Sequence, residues 1–237
     1  MIGEKIDEIV PHIFFHRFLT MSDMISLKDF KFKPRMVVFD CDWTLYPYDC
    51  DKDRIAPFKK TATGICDRYG VNSNPYTHVS NIVGAFVDAG VDVAFLSRNP
   101  SSSSIENLLK TIPLNSASKW RTSLWDAMPS RDYFQAYSSE GYGRGKDLHF
   151  KHLFHLSNIS PQATLFFDNL DDNIIAAEAM GIISVNVKNT GLDWNAVEVG
   201  FDLWQEKASE YYGQCSYCKL PMYQCRDQGD HSFDMRC

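Results

Sequence analysis

Met36-Val37-Val38-Phe39-Asp40-Cys41-Asp42-Trp43-Thr44-Leu45-Tyr46-Pro47 is the stretch that decides the reading of this chain. Four apolar residues, β-branched or bulky, run directly into two carboxylates placed two positions apart. The run reads as a short buried strand. Two carboxylates at the end of such a strand are costly unless a cation neutralises them. Taken alone, the stretch is equally consistent with an exposed Asp-rich turn.

The same alternation recurs downstream. Short apolar runs occupy 36–39, 91–96, 133–137, 163–167 and 182–187. Helical patterns fill 77–89, 101–109, 146–156 and 171–180. The serines at 101–104 supply helix N-cap residues, and Gly90 and Gly181 stand where C-caps belong. Strands alternating with helices predict parallel βαβ units in a doubly wound, Rossmann-like α/β sheet of about five strands. Sites in such sheets lie beyond the carboxyl ends of the strands.

Those ends carry polar residues. Ser97-Arg98-Asn99 follows the second strand, Lys146 opens the third helix, and Asp168-Asn169 with Asp171, Asp172 and Asn173 follows the fourth strand. Singly, Ser97 reads as a helix cap, Lys146 as solvated surface and the last group as N-capping residues. In this order they supply two carboxylates, a hydroxyl, an ammonium and further acids. Phosphoryl transfer through an aspartyl intermediate needs that set: a nucleophile, a proton donor, groups for the phosphoryl oxygens and ligands for Mg²⁺.

With these motifs in order, the chain resembles the haloacid dehalogenase (HAD) superfamily of phosphatases, and most of all its magnesium-dependent phosphatase-1 type. The resemblance rests on the Asp40 to Pro47 motif, on Ser97-Arg98, on Lys146 with His149-Phe150, and on Phe166-Phe167-Asp168-Asn169 with Asn173-Ile174. It spans roughly residues 34–189. It implies that Asp40 is the nucleophile and a metal ligand, and that Asp42 is the general acid and base. Asp42 would also ligate metal through its backbone carbonyl, with Thr44 holding the turn and Asp42 in place. Cys41 (through its amide), Ser97, Arg98 and Lys146 would bind the phosphoryl oxygens. Asp168 and Asn169 would complete the metal site. The type usually has two consecutive acids where this chain has Asp168-Asn169. Asn169 holds a metal-bound water without adding charge, and Asp172 is the candidate that compensates. The expected ion is Mg²⁺, because every expected ligand is oxygen.

The implied substrate is a phosphoprotein, in particular phosphotyrosine, or a sugar phosphate. The alternative is a non-catalytic HAD-like scaffold with a metal-binding tail. A signalling receiver domain also phosphorylates an Asp beside Mg²⁺, but it divides its acids between strands, whereas Asp40 and Asp42 follow one strand.

Composition agrees with a globular enzyme. The 237 residues are 44% hydrophobic, 14% aromatic and 23% charged, unlike a disordered chain. The net charge of −6 argues against a broadly basic nucleic-acid binder. No apolar run approaches the ~20 residues of a membrane helix, and charges interrupt the N-terminal apolar residues, unlike a signal peptide. Seven cysteines, an odd number, point to a reducing, cytoplasmic setting.

The expected organisation is an extension over 1–33, a catalytic domain over 34–194 and a Cys-rich tail over 195–237. An amphipathic helix carrying Ile6, Ile9, Val10, Ile13 and Phe14 is expected in the extension. Within the domain, loop 46–76 acts as a minimal cap and leaves the site open. Asp49, Asp51 and Asp53 begin like a calcium loop, but Arg54 and Lys60 stand where Gly and Glu are required. Trp43, Tyr46 and Tyr48 are expected to pack or to meet substrate. His149, His152 and His155 read as partly exposed helix residues. In the tail, Cys215-x-x-Cys218 has a zinc-knuckle spacing, with Cys225, His231 and Cys237 as candidates for the remaining Zn²⁺ ligands; a loosely packed tail is the alternative.

Overall fold

Strand β1 (Met36–Phe39) is buried at every residue, as a strand covered on both faces must be. It lies at the centre of a five-stranded parallel sheet. β4 (Asp92–Ser97) and β6 (Thr164–Asp168) flank it, with β5 (Phe134–Ala136) and β7 (Ile183–Asn186) outside them, giving the order β5-β4-β1-β6-β7. Each of the five expected strands is present. The computed structural model describes residues 27, 33–138 and 145–212. The expected N-terminal helix and the tail residues Cys215, Cys218, Cys225, His231 and Cys237 lie outside the described residues.

The register brings three strand ends together. Phe39 pairs with Phe95 on one side and with Phe167 on the other. Asp40, Ser97 and Asp168 therefore emerge side by side. The chain also reverses its direction of winding at β1, which opens a crevice there.

The helices are α1 (Val79–Asp88), α2 (Ser102–Thr111), α3 (Asp147–Ser157), α4 (Asp171–Ala179) and α5 (Trp194–Tyr212). Val79, Ile82, Val83 and Phe86 form the buried stripe of α1. Phe39 stacks on Phe167 at 5.5 Å and meets Phe86 edge-on at 5.9 Å; Phe86 in turn stacks on Phe201 of α5 at 6.0 Å. On the opposite face Phe166 meets Phe150 of α3 edge-on at 4.9 Å. Burying each such ring contributes roughly 1.5–3 kcal/mol. This packing fixes the strand ends on which the polar residues sit.

Two elements depart from the sequence reading. The expected loop 46–76 contains a hairpin of β2 (Lys59–Thr61) and β3 (Gly64–Cys66), whose first strand is wholly exposed and has no apolar alternation to reveal it. Helix α5 lies in the stretch assigned to the tail, yet Ala196, Val197, Phe201 and Trp204 are buried and the helix packs on β7. Among the described residues no helix is long and apolar enough to cross a membrane.

Candidate active site

The turn after β1 is closed by the amides of Thr44 and Leu45, which donate to the carbonyl of Cys41 at 3.3 and 2.9 Å. It carries Trp43 at a left-handed φ of 60°, a conformation that costs a residue with a Cβ roughly 1–2 kcal/mol. Trp43 is 45% exposed and lines a cavity of about 770 Å³. The same turn buries Asp40 and half-buries Asp42, so the two acids have different surroundings.

Asp40 faces inward. Lys146 Nζ donates to its Oδ1, and Thr44 Oγ1 donates to its Oδ2 at 3.0 Å. Thr44 thus holds Asp40, not Asp42 as the sequence reading has it. The Lys146 ammonium also donates to Asp168 Oδ2 at 2.6 Å. Lys146 is wholly buried, a correction to the view of it as a surface residue when read alone. Gly145, at a φ of +64°, makes this possible: a Cβ there would lie 2.7 Å from the Asp172 carbonyl oxygen and 2.8 Å from the Ala176 Cβ.

Two buried carboxylates therefore share one ammonium. Burial, reinforced by the charge of Asp168, pushes the Asp40 carboxyl up to about 7, against the pull of Lys146. Burial alone would lower the Lys146 ammonium, but Asp168 and Asp40 outweigh it and hold it above its usual range.

Asp42 faces the covering loop. Its Oδ1 accepts from the Cys50 amide at 3.1 Å and its Oδ2 from Asn99 Nδ2 at 2.8 Å. Burial raises its carboxyl above the ordinary value, and these two hydrogen bonds oppose the rise. Ser97 Oγ accepts from the Asn99 amide at 3.1 Å, which leaves the hydroxyl proton for another acceptor. Arg98 donates to Asn173 Oδ1 at 3.2 Å, and Asn173 Nδ2 donates to both Asp168 oxygens at 2.9 and 2.8 Å.

The expected residues sort accordingly. Asp40, Asp42, Ser97, Arg98 and Asn169 line the cavity; Cys41, Lys146 and Asp168 are buried beside it. Asp172 is exposed on α4 and does not line the cavity, so it is not placed to support a metal. Its neighbour Asn173 makes the inward contacts. Tyr46 and Tyr48 are buried and stack on each other at 4.7 Å, leaving Trp43 as the aromatic at the cavity. His149 is buried, whereas His152 and His155 are exposed. The sequence reading assigns no site role to Asn99, whose only hint was its position just past a strand end. It takes Asn173 as a helix-capping residue and part of the motif that carries the resemblance, without its contacts to Asp168.

The donor set suits a hard cation. The cavity lining carries Asp40, Asp42, Asp49 and Asp51 against Lys52 and Arg98, an acidic excess that repels a phosphate dianion until a cation offsets it. Among the described residues no three His, Cys, Asp or Glu side chains form a metal-holding group. Two carboxylates supplemented by a carbonyl oxygen fit Mg²⁺, which keeps several of its waters.

Comparison with known proteins bears on this arrangement. The acid phosphatase family profile matches residues 33–207. The chain is 25% identical to human magnesium-dependent phosphatase 1 over 171 residues, covering 71% of this chain and 86% of that protein. It is 30% identical to a HAD-like hydrolase superfamily protein of Schizosaccharomyces pombe over 146 residues, covering 59% and 78% respectively. Among solved structures, a HAD-superfamily hydrolase from Ehrlichia chaffeensis superposes with a TM-score of 0.46 at 13% identity, covering 73% of this chain and 97% of that one.

Proposed function

The chain belongs to the acid phosphatase family and is a phosphoric monoester hydrolase of the HAD superfamily, and on that premise we propose that it hydrolyses an aryl phosphate of the phosphotyrosine kind through a phosphorylated Asp40. The observation that carries the reading is the sharing of Lys146 between two buried carboxylates. That arrangement carries a net charge of −1, and a divalent cation would turn it to +1, which suits an anionic phosphate.

Asp40, Asp168 and the Asp42 carbonyl would hold Mg²⁺, with Asn169 supporting one of its waters. When bound, the ion supplies positive charge at the phosphoryl oxygens and at Asp40. The side chains do the rest. A carboxylate oxygen of Asp40 attacks phosphorus as the bond to the leaving oxygen breaks. Asp42, whose carboxyl burial raises above its ordinary range, protonates that oxygen. In the second half a water attacks phosphorus, Asp42 takes the water proton, and the bond to Asp40 breaks to release inorganic phosphate. The Ser97 hydroxyl, the Cys41 amide and Arg98 bind the phosphoryl oxygens, and Lys146 holds Asp40 in line.

The apolar walls favour the aryl class. Trp43 and Leu170, 45% and 43% exposed, both line the cavity and offer a ring more contact than a sugar hydroxyl would use. The free thiols of Cys41, Cys50 and Cys66 support a reducing, cytoplasmic setting. The test is turnover of a phosphotyrosine peptide and of a hexose phosphate, with Mg²⁺, with EDTA, and in Asp40→Asn. We expect a higher kcat/KM for the peptide, and loss of turnover both in EDTA and in the variant. Retained turnover in Asp40→Asn would refute the nucleophile; preference for the hexose phosphate would refute the substrate class.

A further inference from the structure

Asn99 makes more contacts in the cavity than any role assigned so far requires. Its Nδ2 lies 2.8 Å from Asp42 Oδ2, 3.1 Å from Asp49 Oδ1 and 2.7 Å from the Cys50 carbonyl oxygen. An amide has two N–H bonds, so one of them is shared between acceptors. Its Oδ1 accepts from the Ser101 amide at 2.9 Å, and its own backbone amide donates to Ser97 Oγ. The orientation of the side chain is fixed by these partners: a flipped amide would turn its oxygen toward three other oxygens.

One short side chain thus ties three things together. It joins the Asp42 carboxyl, the covering loop at Asp49 and Cys50, and the end of β4 that carries Ser97. The Cys50 amide closes the ring by donating to Asp42 Oδ1. With both carboxyl oxygens held, Asp42 has one orientation. We propose that Asn99 is a positioning residue for proton transfer, fixing the Asp42 carboxyl toward the leaving oxygen by clamping it between the covering loop and the end of β4. This rests on the reading of Asp42 as proton donor.

A purely structural strap would behave differently, and the molecule contains one. Ser104 Oγ donates to Asp51 Oδ2 at 2.7 Å, holding the same loop to α2 without touching Asp42. Leaving-group dependence separates the two roles. A nitrophenolate departs without a proton, whereas an alkoxide needs one.

The experiment compares p-nitrophenyl phosphate with an alkyl phosphate in wild type, Asn99→Ala, Asp42→Asn and Ser104→Ala. Asn99→Leu, which keeps the branched shape of the side chain but has no donor, serves if Asn99→Ala folds poorly. Asp42 also serves the second half-reaction, which both esters share, so the readout is the first-turnover rate of leaving-group release. The expected result for Asn99→Ala is a fall of about 100-fold in that rate on the alkyl ester, within the range proton transfer contributes. The fall on the nitrophenyl ester should be less than about fivefold. Asp42→Asn should show the same pattern more strongly, and Ser104→Ala should affect both esters alike. Equal losses on both esters in Asn99→Ala, with the pattern intact in Asp42→Asn, would overturn the inference alone. So would a leaving-group-dependent loss in Ser104→Ala. Absence of the pattern in Asp42→Asn would overturn the proton-donor reading and this inference with it.

Discussion

The ammonium of Lys146 lies 2.6 Å from Asp168 Oδ2, and both side chains are withdrawn from solvent. The same ammonium is bonded to Asp40. Lys146 stands at the N-cap of α3, where a helix dipole disfavours a cation, so its partners across the sheet hold it there. Lys146→Met should leave two buried carboxylates uncompensated and cost about 3–5 kcal/mol. Urea denaturation measures this. Adding Mg²⁺ should stabilise the variant more than wild type, because the ion then meets two unpaired carboxylates. A variant as stable as wild type without metal would contradict the pairing.

His149 gives a pH dependence with a definite sign. Its Nε2 lies 3.0 Å from the Ser97 carbonyl oxygen and 3.1 Å from that of Tyr137, so it must carry the proton. Its Nδ1 is buried and has no hydrogen-bond partner among the described residues. Burial, aided by the nearby Lys146 charge, pushes the imidazole down to about 4. Because the unfolded value is higher, at 6.5, the unfolded chain binds the extra proton first. Stability from this group is complete above about 6.5 and is lost as pH falls toward 4. In His149→Gln that part of the acid dependence, up to about 3 kcal/mol, should disappear from the difference in unfolding free energy against pH. A difference that stays flat from pH 7 to 4 would rule out the neutral imidazole.

How much of this was legible in the sequence depends on distance along the chain. The strand ends were legible because an apolar run followed by polar residues is a local pattern. Asp40, Ser97 and Asp168 needed only the parallel topology to meet. Burial of Lys146 was not legible from local sequence: nothing in Gly145-Lys146-Asp147 announces a partner 106 residues away, and its order among the other motifs, together with the family resemblance, placed it at the site. The choice between Asp172 and Asn173 depended on helix phase. α4 begins at Asp171, and a turn of about 100° per residue points position 173 inward and 172 to solvent. Asn99 was hidden for another reason: two of its three acceptors, at Asp49 and Cys50, come from a loop whose path has no periodicity.

Trp43 tests the substrate class without touching the chemistry. It lies beside Asp42 in the chain but makes its exposed surface available at the cavity. Trp43→Ala should raise KM for a phosphotyrosine peptide by about three- to tenfold, the worth of one aromatic contact. It should leave kcat, and KM for a hexose phosphate, nearly unchanged. Steady-state kinetics on the two substrates decides this, and an equal rise in both KM values would remove Trp43 from aryl recognition.

The most direct measurement is chemical trapping of the phosphorylated enzyme. Borohydride reduces an acyl phosphate to the alcohol, so quenching a reacting mixture of enzyme, Mg²⁺ and aryl phosphate into borohydride should convert Asp40 to homoserine, located by peptide mass spectrometry. The expected result is homoserine at position 40, dependent on substrate and absent in Asp40→Asn. Reduction at Asp42 instead, or an intact Asp40 in an enzyme that is turning over, would contradict covalent catalysis by Asp40.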